Sequence, residues 1–530
     1  MSFGAEAALP DTEDRAEDEG WKLVRHFKFH LHPSEIRRHQ NLSLESLPSG
    51  LSLIQIYTDY MTYLLNHTKN FFCDHILNGT RVWELYHHDM TVVLAHPNGW
   101  GIREQGFLRR AATNAGFVTR ANAHSNIQFV SEAEASVHFC MFHSDLHEHM
   151  NMGVYFVVCD AGGSTTDTTA YYVKQTYPTL ELDETKASAC VQAGGVSVDA
   201  EFHQYLCSIL DQIDLSEDQR NEFIRSGSRD FEENVKKAFV GTGEEFRINL
   251  GGGRSMNYPN LHISRGKLAL TNDTISSFFN ESVEIAIESI RQQMDKGCEH
   301  VLLVGGFGES LYLRKMVNSH FSGARCSITV TSDPNAKAVA DGSVLWCAKR
   351  TVVSRATRMA YGIEILTAYD RNNVDHCGRK TSIQLDGIEK VSGFWSQIVS
   401  KDTVMEANEA LRGEYHRSYD NSNPALGNFS VTLYGYKGAG SNTNTWLMNK
   451  NDCLEKGFEE VCQIQADLSG MRKGLKKQKG TKGKYYRLDF KVAIQFGDTE
   501  MKAFLEWEHG GKTFTGPAEI LPNELSVTTV

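Results

Sequence analysis

Residues 154–173 read VYFVVCDAGGSTTDTTAYYV. An apolar strand ends at Asp160, Gly162 and Gly163 let the backbone come close to a ligand, and Ser164, Thr165 and Asp167 follow before a second strand leaves through Thr169 to Val173. Phosphate chemistry asks for this set. A tight hairpin offers consecutive backbone N–H groups to phosphate oxygens, a hydroxyl sits beside them, and a carboxylate holds magnesium through its water shell. An ordinary glycine hairpin is the competing reading. The ordered set Asp160, Gly162, Gly163, Thr165 and Asp167 between two strands is far more specific than a lone Gly-Gly pair.

Two more glycine turns extend the pattern. VLLVGGFGES (residues 301–310) joins an apolar strand to a helix, and close approach of backbone to a nucleoside or α-phosphate needs the missing side chains of Gly305 and Gly306. AGGVSVD (residues 193–199) precedes a helix and offers further phosphate contacts through Gly194 and Gly195.

The elements that must position these turns alternate along the chain. LIQIYTDYMTYLLNH (residues 53–67) carries apolar groups at Ile54, Ile56, Tyr57, Tyr60, Met61 and Leu64 and predicts an amphipathic helix. A β-branched run at 90–94 meets the turn signal HPNGW, then come strand NIQFVS, helix AEASVHFCMF and the two hairpin strands. Helices FHQYLCSIL and DFEENVKKAF and a long helix over 274–296 follow, then strand VLLV. Strands and helices mixed in this way denote an α/β module. After about Ile365 the pattern turns to period two. Phe429, Val431 and Leu433 share one face, as do Leu488, Phe490, Val492, Ile494 and Phe496, which predicts half-buried antiparallel sheet. The expected organisation is a disordered acidic lead over 1–20, an α/β module over 21–365 and a β-rich module over 366–530.

With 530 residues the chain is long enough for three or four domains by length alone, and a core needs no staples. A net charge of −12 argues against general electrostatic binding to nucleic acid. No run of eighteen apolar residues occurs, and the acidic N-terminus contradicts secretory and mitochondrial signals. Eleven scattered Cys with no Cys-x-x-Cys read as reduced thiols of a cytoplasmic or nuclear protein. A basic stretch, residues 472–487, carries eight Lys and Arg and reads as a solvated hairpin loop, with nuclear targeting or an acidic partner as the alternatives.

DAGGSTTD resembles the second phosphate motif of the actin-like ATPase superfamily, and VLLVGGFGESLYLRKMV resembles its adenosine motif. With FEENVKKAF between them, the order is similar to that of the heat-shock 70 kDa chaperone family. HFKFHLH, AVADGSVLWCAKR and IQFGDTEMKAFLEW point to its divergent heat shock 70 kDa protein 12A and 12B branch. The resemblance spans residues 21 to about 515 and implies an actin-like, ribonuclease H-like, two-lobed nucleotide-binding module binding ATP or ADP with Mg. Under it, Asp160 would bind hydrated magnesium. Gly162, Gly163, Ser164 and Thr165 would hold the β- and γ-phosphates, and Asp167 would position magnesium or the attacking water. Glu132, in SEAEASVHF, would orient water or magnesium. Gly194 and Gly195 would reach the phosphates, and Gly305, Gly306 and Phe307 would form the adenosine loop. Glu233, Lys236 and Lys237 would flank adenine and ribose, Lys237 standing where the family has Arg and so lacking a planar guanidinium to stack.

The departures shape the functional expectation. The family's opening Asp-x-Gly-Thr-Thr hairpin has no counterpart before Trp21, and Lys28 is the nearest candidate for the phosphate-contacting Lys. The first lobe is expected to be incomplete, either through truncation, which is favoured, or in a nucleotide-binding pseudoenzyme. Loss of half a phosphate clamp would cost orders of magnitude in rate. Ser164 in place of the usual third Gly would strain a turn that wants positive φ.

Three features read as decoys. Two are the P-loop-like Gly510-Gly511-Lys512-Thr513 and the metal-spaced cluster His143, Asp145, His147, Glu148 and His149; the third, the tail Thr528-Thr529-Val530, suits a carboxylate-binding groove, a match that short tails often make by chance. The expected function is an ATP-binding, chaperone-like protein with slow hydrolysis and a client or partner protein. A non-hydrolysing scaffold is the alternative, and a metabolite kinase of the same superfamily the weaker one.

Overall fold

In the computed structural model the apolar run Tyr155–Ala161 is the buried strand on which the rest of the first unit is assembled. The structure describes residues 1–33, 46–143, 150–177, 180–243, 245–294, 297–321, 326–330, 337–406, 409–438, 445–481, 483–497, 500–509, 512–516 and 519–521. The chain divides into two units. The first comprises residues 1–100, 107–181 and 188–351, and the second residues 101–106, 182–187 and 352–530.

In the first unit, Tyr155–Ala161 pairs antiparallel with Thr166–Gln175 and parallel with Cys298–Val304, which pairs parallel with Ser327–Val330. Ala189–Val191 lies antiparallel beside Thr166–Gln175. Alternate residues of the central strand serve opposite faces. Val157, Cys159 and Ala161 enter a large core with Phe202, Leu206, Phe231, Phe239, Phe279 and Leu313, while Phe156 stacks on Tyr171 at 5.5 Å. Burial on both faces explains why this segment reads as a continuous apolar run and not as an alternation.

Helices close that core. Asn272–Gln293 starts where the Thr271 hydroxyl accepts from the Thr274 amide, and Ile275, Phe278, Phe279, Val283, Ala286 and Ile290 repeat at helical spacing on its inner face. Leu53–His75, capped by Ser52, runs eight residues past the predicted stretch and buries Leu53, Ile56, Tyr57 and Met61, leaving Leu64 exposed. A parallel pair, Val92–His96 and Ile127–Ser131, feeds the helix Glu132–His143.

Two expectations are corrected. The acidic lead is ordered over Pro10–Glu19 as a helix with Pro at its first position; Phe3 and Phe27 on either side of it seat on Tyr63 and Tyr57 of helix Leu53–His75, and Glu13 and Glu17 meet Arg229 and Arg225 of another helix. The DFEENVKKAF segment is not a plain α-helix. Phe231–Val235 is a π-turn that continues the capped helix Glu217–Asp230.

The second unit is two antiparallel sheets around one apolar core. One has the order Thr381–Ile383, Glu389–Val399, Ala360–Ala368, Phe429–Tyr436, Phe458–Ala466, Glu519–Leu521. The other has Ala410–Tyr419, Gly483–Gly497, Glu500–His509 and Lys512–Thr515, with Lys476–Gly480 also on Gly483–Gly497. The period-two reading holds: Phe429, Val431, Leu433, Leu488, Phe490, Val492 and Ile494 all enter the shared core. A boundary at 365 would cut the strand Ala360–Ala368, which pairs on both sides within this unit. The mixed α/β class with a β-rich C-terminal part stands as expected. No described helix is long and apolar enough to cross a membrane.

Candidate functional site

The glycine hairpin forms between the two strands read from the sequence. Asp160 faces Asp167 and Ala161 faces Thr166 across the ladder, and the turn closes with the Gly162 amide donating to the Thr165 carbonyl at 2.8 Å. Ser164 does not take a positive φ. The expected strain at Ser164 is therefore absent, because this turn closes without a left-handed residue there.

The other two glycine turns dock on this hairpin. The amides of Phe307 and Gly308 both donate to the Ala161 carbonyl, at 2.8 and 3.0 Å, and those of Gly195 and Val196 donate to the carbonyls of Gly162 and Gly163, at 3.1 and 2.9 Å. This docking sorts the glycines into two kinds. Gly305 has φ +84°, and a Cβ there would lie 2.3 Å from Asp160 Oδ1; a Cβ at Gly194 would lie 2.3 Å from the Gly163 carbonyl oxygen. Those two are required by packing. Around Gly306 nothing lies within 4 Å of a built Cβ, and at Gly163 and Gly195 a Cβ would meet only ordinary contacts of 3.7 Å or more. All three line one cleft of about 2510 Å³.

Charge collects beside the hairpin. Asp160 and Asp167 are buried, and burial, reinforced by the nearby Glu132 carboxylate, pushes each carboxyl up to about 7. Ser136 donates to Asp160 Oδ2 at 3.0 Å, and the Asn98 amide donates to Asp167 Oδ1 at 2.6 Å. Glu132 begins the helix Glu132–His143 and accepts from Lys28 Nζ at 2.7 Å. Burial alone would lower the Lys28 ammonium, but Glu132 and Asp167 outweigh it and hold Lys28 above its ordinary value. Thus Lys28, only loosely placed by sequence, belongs to this cluster.

Three neighbours escaped the sequence reading. Asn98, from the HPNGW turn, is buried, donates through its side chain to Thr169 Oγ1 at 3.0 Å, and leaves its Oδ1 with no hydrogen-bond partner among the described residues. Cys190 stands opposite Asp167 in the ladder and donates its thiol hydrogen to that carboxylate. Ser136 lies on the Glu132–His143 helix. No local pattern marks these residues, since each reaches the hairpin from a distant segment.

In the cleft lining, beside Gly195, Lys236 is held by both oxygens of Asp199, at 2.7 Å to Oδ1. Burial raises the Asp199 carboxyl to about 6, with Lys236 pulling it back. Glu233 and Lys237 are exposed and line the same cleft, as does Phe307. The π-turn that carries Glu233 is a distortion often found at functional sites. Thr165 is buried in the hairpin turn.

Among the described residues no three His, Cys, Asp or Glu side chains converge as a metal site. Of the decoy cluster, His143 stacks on Phe139 at 4.4 Å; residues 144–149, like Gly510, Gly511 and the Thr528–Val530 tail, lie outside the described residues. The basic stretch forms a β-hairpin in which Lys476 and Arg487 both pair with Asp489; Lys482 lies outside the described residues.

No protein-family profile matches the chain. Curated relatives do. Heat shock 70 kDa protein 12A of Mus musculus is 22% identical over 389 residues, 68% of this chain and 53% of that protein. The Homo sapiens protein of the same name is 22% identical over 391 residues, and Homo sapiens heat shock 70 kDa protein 12B is 23% identical over 384. The chain spans about half the length of the curated relatives it matches. It is a distant relative of this heat-shock 70 branch, as the motifs implied.

Proposed function

We propose that the cleft of the first unit binds ATP or ADP with magnesium, in a chaperone-like protein that hydrolyses ATP slowly. The observation that carries this reading is the meeting of Asp160, Asp167, Glu132 and Lys28 at a hairpin on which both other glycine turns are docked.

The residues present fit the ligand. Gly163, Gly195 and Gly306 are glycines that packing does not demand, so their missing side chains leave room on the cleft side for phosphates and nucleoside. Two carboxyls pushed up to about 7 mark negative charge crowded without enough countercharge, and the orphaned Asn98 Oδ1 beside them suits a hydrating water. With no direct three-ligand set among the described residues, Asp160 and Asp167 would hold the ion through water. Magnesium, when bound, supplies positive charge to the β- and γ-phosphates. In this reading Glu132 orients water, Thr165 supplies a hydroxyl to the phosphates, and Glu233, Lys236 and Lys237 flank the nucleoside.

A second reading, binding without turnover, is favoured by one contact. Lys28, the candidate phosphate-contacting Lys, is held at 2.7 Å by Glu132, the candidate for orienting water, so each engages the other. Calorimetry with Mg-ATP on the full chain and on Asp160→Asn separates the two. Magnesium-dependent heat in the parent, lost in the variant, is expected, with phosphate release measured on the same samples. Heat without phosphate release selects the second reading. No magnesium-dependent heat in the parent would sink both.

A further inference from the structure

The N-terminal residues leave helix Leu53–His75, cross to another helix and come back. Phe3 stacks on Tyr63 with ring centroids 5.0 Å apart and planes 16° apart. Phe27 meets the edge-on rings of Tyr57 at 5.0 Å and Tyr60 at 5.6 Å. Tyr57, Tyr60 and Tyr63 follow at three-residue spacing on one helix, so both ends of the segment rest on a single aromatic row. Between those ends, helix Pro10–Glu19 reaches helix Glu217–Asp230: Glu13 pairs with Arg229 at 3.3 Å, and Glu17 with Arg225 at 3.9 Å. Each pair of partners is four residues apart and the order is antiparallel, so the two helices meet as a short charge zipper.

This segment crosses the candidate cleft. Phe3, Gly4, Trp21, Val24 and Phe27 line the same space as Gly163, Gly195 and Gly306. The helix it grips runs straight into the π-turn bearing Glu233. Its charge contacts are partly exposed at every side chain, from 24% at Glu13 to 74% at Glu17, and ion pairs of that kind are weak and screened by salt. A contact that is specific in geometry and weak in strength suits a part that opens and closes.

We infer that residues 1–27 form a strap across the cleft, latched by Glu13–Arg229 and Glu17–Arg225, that opens to admit ligand and closes behind it. The strap stands on its own contacts; its gating role rests on the nucleotide reading. Hydrogen exchange on the full chain tests the latch. Glu13→Arg with Glu17→Arg is expected to speed exchange in residues 10–19 about three- to tenfold at low salt. Adding Arg225→Glu and Arg229→Glu, which reverses both pairs, is expected to restore protection, and 0.5 M NaCl to erase the differences. Equal exchange in all three proteins at low salt, or no rescue by the reversed pairs, overturns the latch.

Stopped-flow association of a fluescent ADP analogue tests the gate. The opened variant is expected to bind and release several-fold faster than the parent, and the reversed pairs to return both rates. Unchanged rates overturn gating. Binding by none of the proteins overturns the nucleotide reading and the gate together, while the exchange arm still decides the strap.

Discussion

Two antiparallel hairpins, one in each unit, bury opposite chemistry. In the hairpin Tyr155–Ala161 and Thr166–Gln175, the pair nearest the turn but one is Asp160 opposite Asp167, both buried. In the hairpin Gly483–Gly497 and Glu500–His509, Val492 faces Leu505 and Ile494 faces Ala503, all buried. The second unit also buries an acid, Glu506, but supplies it with a two-pronged Arg412, at 2.7 Å from Nε to Oε2. Asp160 and Asp167 share one ammonium, Lys28, with Glu132. A buried acid with a dedicated guanidinium serves the fold, whereas two acids short of countercharge weaken it; in the proposed reading they are kept for the arriving ligand.

The largest expected effect is steric. Gly305→Val places a side chain on Asp160 and on the Ala161 carbonyl at a positive φ, and is expected to cost roughly 4 kcal/mol or more, read by denaturant unfolding. Gly306→Ala, where nothing lies within 4 Å, is expected to leave stability unchanged and to weaken Mg-ATP binding in calorimetry. Equal destabilisation by both would refute the division between packed and cleft-facing glycines. Next in size, Leu433→Ala in the apolar core of the second unit is expected to cost about 3 kcal/mol while Asp160 chemistry is untouched.

The acids give a test of opposite sign. Asp160→Asn is expected to stabilise the ligand-free chain by about 2 kcal/mol at pH 7.5, and Glu506→Gln to destabilise it by about 1–2 kcal/mol. The sign follows from linkage. A carboxyl raised to about 7 keeps its proton in the folded state after the unfolded chain has lost it, so the fold binds more protons and stability falls as pH rises from about 4 to 7. The Asn variant should show a shallower decline in melting temperature over that window; a decline as steep as the parent's would count against the uncompensated acids. The smallest effect is expected at Cys190. Cys190→Val removes a donor from Asp167 and should cost about 1 kcal/mol, with Cys190→Ser recovering most of it in thermal melts.

Legibility tracked sequence distance. The Asp160–Asp167 hairpin was readable because strand, glycine turn and strand are contiguous, and the alternation Phe429, Val431, Leu433 was readable because a strand exposes its faces by turns. Asn98, Ser136 and Cys190 were not readable, since their part depends on which distant carboxylate each one meets. Composition misjudged the lead: seven of its twenty residues are acidic, yet Pro10–Glu19 is a helix, flanked by Phe3 and Phe27 seated on tyrosines of helix Leu53–His75 and with Glu13 and Glu17 meeting Arg229 and Arg225.

From the sequence alone come the three glycine turns and the two kinds of module, carried by local spacing, and the resemblance to the heat-shock 70 branch, carried by its motifs. Only the tertiary structure decided that Gly194 and Gly305 are packing glycines while Gly163, Gly195 and Gly306 face the cleft, that Lys28 joins the acids, and that burial pushes those carboxyls above their ordinary range. The reason is physical. Turn and strand preferences act over a few neighbouring residues, whereas steric room and desolvation are set by whatever the rest of the chain brings alongside.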